Sequence, residues 1–152
     1  MLNVRSRLAL SCLFATIAAV PHTTAPAHTA PITVQSGQEH WVAGSGFMQG
    51  IGIATLVGGF DQAGTFVVRV KLPAAARWGV HHHTARLNAT IVSGVLLIGF
   101  GDRVDATKMM RLTAGSFVSI PAGTNYYDAT VGVTVVQEEG QGPMTTVVPK
   151  NL

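Results

Sequence analysis

An all-β fold follows from three features of the sequence. Short runs rich in valine, isoleucine and threonine recur roughly every ten residues. Glycine, 17 residues in all, punctuates the gaps between them. No window carries an apolar stripe of helical period longer than two turns. Together these predict one domain built as a sandwich or barrel of short strands, with no second domain and no internal repeat.

The elements can be justified in order. The run 51–57 ends at Gly58-Gly59, whose conformational freedom suits a turn. In 65–72, Phe66, Val68, Val70 and Leu72 alternate with Val67, Arg69 and Lys71, so one face is buried and the charges meet solvent. The runs 87–93 and 95–100 flank Gly94, and 110–112 and 117–120 flank Gly115. The remaining runs are 124–128, 131–137 and 144–148, after Pro121-Ala-Gly123 and around Gly140. Residues 28–50 read as an extended lead-in, Pro/Thr-rich through residue 38; 51–148 form the barrel and 149–152 a tail.

Residues 1–27 read as a secretory signal. Arg5 and Arg7 precede a thirteen-residue apolar run, 8–20, too short to span a bilayer, which takes about 20 residues. Ala25-Pro-Ala27 supplies a cleavage site. The expected product is secreted or periplasmic, with no membrane association after cleavage. The only cysteine, Cys12, leaves with the signal, which excludes disulfides, Cys-based zinc sites and a Cys nucleophile in the mature chain. Eight Lys and Arg then face seven Asp and Glu, a net charge of +1, with no basic run. Nucleic-acid binding, which draws its affinity from clustered phosphate contacts, is therefore not expected.

The chemistry concentrates between Gly79 and Tyr127. On an extended strand, His81 and His83 share one face about 7 Å apart, and His82 points to the other. Gly94 and the stretch IVSGVLLIGFGD follow, then Gly115, five residues, and Pro121-Ala-Gly123 within GSFVSIPAG. This order and spacing resemble the two motifs of the cupin superfamily. The first of those runs glycine, His-x-His, glutamate, glycine; the second runs glycine, five residues, Pro-x-Gly, two residues, histidine. The resemblance covers roughly residues 51–148 and implies a cupin-type jelly-roll β-barrel. It also implies a homodimer, since many cupins pair through strands.

Two of the four metal ligands of that pattern are missing. His81 and His83 stand at the His-x-His positions, but Leu87 falls where the glutamate belongs and Tyr126 where the second-motif histidine belongs. Asp128 shares a face with Tyr126 on a regular strand and is the nearest acid. A neutral phenol is a poor ligand for a divalent ion, and a dication wants a fuller N/O set. A divalent metal ion would thus be weakly held, by His81, His83 and Asp128. No catalytic residue is assigned.

Two functions remain open on the sequence. One is small-molecule binding in the barrel by His81, His83, Tyr126 and Arg86, which suit a carboxylate, phenol or sugar-like ligand beside a partly protonated histidine pair. The other is a metal-dependent dioxygenase or isomerase of the cupin kind with His81 and His83 as ligands. Acid–base catalysis by a His/Tyr pair without metal is a third form of the same site. Trp41 and Trp78 are expected at the barrel rim, and Asn88-Ala-Thr90, a glycosylation sequon by pattern, falls inside a predicted strand.

Overall fold

The computed structural model describes residues 30–150; the expected signal, residues 1–27, and the end of the tail lie outside them. The strands are β1 (Val42–Ala43), β2 (Gly52–Val57), β3 (Gly64–Leu72), β4 (Arg77–His83), β5 (Leu87–Ser93), β6 (Val95–Phe100), β7 (Met110–Thr113), β8 (Phe117–Ile120), β9 (Tyr126–Thr130), β10 (Thr134–Gly142) and β11 (Thr146–Val147). Single turns of 3-10 helix occupy Gly46–Met48 and Ala106–Lys108. The strands form a six-stranded sheet, β1-β2-β3-β10-β5-β8, and a five-stranded sheet, β11-β4-β9-β6-β7, with antiparallel pairing throughout.

The inner faces share one core. β3 contributes Phe66, Val68, Val70 and Leu72, the alternating set the sequence marks, and β5 contributes Leu87, Ala89 and Ile91. Leu96 of the opposite sheet, Val136 and Met144 complete the buried cluster. Arg69 and Lys71, on the other face of β3, serve a second purpose: they pin the lead-in. Arg69 pairs with Glu39, and the Lys71 ammonium lies 4.0 Å from the ring centre of Trp41. Among the described residues, strand pairing begins at Val42, inside the expected lead-in, where β1 pairs with β2. Two residues of strand are too short to show a period in sequence, and the turn after them brings Phe47 and Met48 to the barrel interior.

Glycine is required at two positions, the motif glycine Gly94 and Gly99 within β6. Gly94 turns β5 into β6 at φ +81°, and a Cβ there would lie 2.5 Å from the Val133 carbonyl oxygen. Gly99 lies directly opposite Tyr127, whose ring covers it at a distance no Cβ could share. The Tyr127 hydroxyl donates to the Asp105 carbonyl oxygen at 3.1 Å, which satisfies a fully buried phenol.

Candidate functional site

A cavity of about 250 Å³ lies inside the barrel, walled mainly by hydrocarbon from both sheets, including Leu87, Leu96, Ile98, Ile120, Val136 and Met144. Its polar groups are His81, His83, Tyr126, Asp128, Glu138 and Thr146. The β4–β9 pairing explains how three of them converge. Trp78 faces Asp128 and His81 faces Tyr126, so β4 spends three residues where β9 spends two. The extra residue is a bulge at Gly79-Val80, and it re-aims the strand so that Trp78, His81 and His83 all reach the cavity. Simple alternation would have sent Trp78 outward.

The bulge also fixes one tautomer. His81 Nδ1 lies 2.8 Å from the Gly79 carbonyl oxygen, which can only accept, so Nδ1 carries the proton and Nε2 is the ring's acceptor. The His81 ring packs 4.1 Å from Tyr126 and 4.9 Å from Phe47, centre to centre. His83 Nε2 lies 2.8 Å from the Tyr126 hydroxyl, and its Nδ1 lies 3.2 Å from the Thr146 hydroxyl. Burial, with help from the neighbouring imidazoles, depresses His83 to about 4, and burial lowers His81 as well. Burial thus favours the neutral form of both rings, against the partly protonated pair expected from the sequence. Burial next to two carboxyls pushes the Tyr126 phenol well above its ordinary range, so it keeps its proton and can donate to His83.

Asp128 does share the inner face of β9 with Tyr126. The residue that sequence reasoning missed is Glu138. It stands at the centre of β10, between Val68 of β3 and Ala89 of β5, and points into the cavity. Asp128, from the opposite sheet, is flanked by Trp78 and Ile98. Hydrocarbon neighbours on both sides explain why burial raises each carboxyl to about 7, with the charge of Glu138 adding to the rise at Asp128. The available signal was weak: Glu138 follows a valine run at the spacing of an inward residue, but its type argued for solvent.

Arg86 does not join the site. It lies in the turn after β4, exposed, and its guanidinium donates to the Ser119 hydroxyl at 3.1 Å on the outer side of β8. A guanidinium in this apolar chamber would lose its hydration, so the turn leaves it in water. His82 points away as expected. Its Nδ1 lies 2.8 Å from Asn125 Oδ1, and Asn125 Nδ2 donates to Asp102 Oδ1 at 2.8 Å. Because the carboxylate must accept, the amide orientation is set, and His82 Nδ1 is the donor in its own bond. Asp102 thus fixes the orientation of Asn125.

Several solved structures are similar to this architecture. A protein of unknown function with a cupin-like fold from Ralstonia eutropha JMP134 matches at TM-score 0.59 and 20% identity, covering 76% of this chain and 69% of that one. An RmlC-like cupin from Shewanella frigidimarina NCIMB 400 matches at TM-score 0.56 and 17% identity, covering 74% and 91%. This chain has the cupin fold. A salicylate 1,2-dioxygenase variant from Pseudoaminobacter salicylatoxidans in complex with gentisate also matches, at TM-score 0.54 and 12% identity over 67% of this chain and 30% of that one. No protein-family model matches the sequence, and no curated protein does.

A metal ion of the kind the cupin motifs imply does not fit the side chains present. Among the described residues no three His, Cys, Asp or Glu side chains form a metal-holding group. Leu87 is a buried hydrocarbon at the glutamate position. The Tyr126 hydroxyl lies on the His83 nitrogen that would face an ion. His81, His83 and Asp128 line one cavity, but they are not arranged as a ligand set.

Proposed function

We propose that this cupin-fold chain is a secreted or periplasmic protein that binds a small, largely apolar molecule inside its barrel without a resident metal ion. One observation carries the reading: an apolar cavity inside the barrel with a few convergent polar groups. Its size, at the small end of the roughly 300–1,000 Å³ usual for ligand pockets, suits a molecule of one ring. The hydrocarbon body would pack among Leu96, Ile98 and Val136, and a hydroxyl or N–H would donate to His81 Nε2. An anionic carboxylate is disfavoured, because Asp128 and Glu138 line the same chamber and no Lys or Arg does.

The test uses benzyl alcohol as the probe, with protein stripped of metal by a chelator. Methyl NMR signals of Met48, Ile98 and Met144 should shift saturably on titration. The double variant His81→Ala/His83→Ala should retain a cooperative unfolding transition and lose at least roughly tenfold in affinity, the scale of one buried hydrogen bond. Equal binding by that variant sinks the assignment. The competing reading, a metal-dependent dioxygenase or isomerase, requires that the stripped protein retain one equivalent of Fe(II), Mn(II) or Zn(II) after reloading and desalting, and that the double variant not.

A further inference from the structure

Two carboxyl groups in the cavity lack what buried carboxyls ordinarily have. Among the described residues, neither Asp128 nor Glu138 has a hydrogen-bond donor from the protein, and no Lys or Arg lines the chamber. Burial of an acid is normally balanced by a cation or by several N–H donors. The two groups come from opposite sheets, Asp128 on β9 and Glu138 on β10, and Asp128 senses the charge of Glu138. Their remaining accessible surface opens onto the cavity. The aromatic rings of Phe47, Phe60, Trp78 and Tyr126 line the same space.

Resting on the reading that the barrel holds a small molecule, we propose that the ligand class is an amine: an ammonium group donates to the carboxylates of Asp128 and Glu138 while an apolar body of about one ring fills the hydrocarbon part of the cavity. Such a ligand supplies the missing donors and the missing positive charge in one group. A neutral alcohol of the same shape supplies one donor and no charge. A carboxylate supplies neither and adds repulsion.

The experiment compares benzylamine, benzyl alcohol and benzoate by calorimetric and NMR titration of chelator-treated protein at pH 8. There benzylamine is protonated, and both carboxyls, raised by burial to about 7, are mostly ionised. Benzylamine should bind at least roughly tenfold more tightly than benzyl alcohol, as expected for hydrogen bonds to charged groups, and benzoate should bind least. Asp128→Asn and Glu138→Gln, made separately, should each abolish most of that preference, and a cooperative urea unfolding transition for each variant reports that the fold is intact. If benzyl alcohol or benzoate binds wild type as tightly as benzylamine, the amine class is wrong and the binding cavity stands. The same holds if both carboxamide variants keep the tenfold preference. If none of the three probes shifts the cavity methyls, the amine class and the binding reading fall together.

Discussion

Burying Glu138 between Val68 and Ala89 weakens the fold whenever its carboxylate is ionised. Its folded-state value is raised from 4.5 to about 7, so between those values the native state holds a proton that the unfolded chain has lost. Stability therefore falls as pH rises through that window, and the loss is complete above about 7. Asp128, raised from 3.8 to about 7, acts in the same direction. His83, lowered from 6.5 to about 4, acts oppositely: stability falls as pH drops through that range. Glu138→Gln removes one contribution cleanly. The variant should be more stable than wild type at pH 8 by an amount on the order of 2 kcal/mol, and the advantage should vanish toward pH 4. Urea unfolding at several pH values checks it; a pH-independent difference would show that Glu138 is not held protonated by burial.

At the level of strands, close approach at one glycine sets a firm expectation. A Cβ on Gly99 would lie 2.4 Å from Tyr127 ring carbons, and that ring is both fully buried and tethered through its hydroxyl to the Asp105 carbonyl. Gly99→Ala should cost about 1–3 kcal/mol by overpacking the β6–β9 pair. Gly132→Ala, where a Cβ meets open space, should change stability by less than about 0.5 kcal/mol. Chemical denaturation of the two variants reads the contrast. The strands most legible in sequence are those with clean alternation or glycine at both ends: β5, β6 and β8 have the predicted bounds. β10 was misplaced because residue type misled. Val131 and Val133 look like strand but are exposed in the connecting turn, whereas the polar Gln137-Glu138-Glu139 stretch is the centre of a sheet. β4 was not among the predicted runs, since its bulge breaks the period-2 pattern. The same bulge explains why the His-x-His pair was readable and the company it keeps was not. Spacing along one strand gives His81 and His83, but the approach of Glu138 depends on register between β10 and β5, which no local pattern encodes.

For the molecule as a whole, the expectations concern where it goes and how it assembles. The exported chain should begin at His28, lack cysteine and show no dependence of its unfolding on reducing agent. Intact mass spectrometry of protein recovered from the medium or periplasm checks the first residue; recovery of the full-length chain from membranes would overturn the secretory reading. Light scattering of the same sample tests the homodimer implied by the motif resemblance, with a mass twice that of the processed chain as the expected result. A last consequence concerns the far end of the fold. β11 is tied to β4 by two residue pairs only, and in one of them Thr146 also offers its hydroxyl to His83. Peeling that short ribbon away would widen the mouth of the cavity and strip His83 Nδ1 of its Thr146 partner, yet leave the bond from His83 to Tyr126 and the β3–β10–β5 centre in place. Trimming the chain just before Thr146, which keeps Met144 in the core, should therefore weaken ligand capture, read as weaker benzyl alcohol binding, while cooperative unfolding persists.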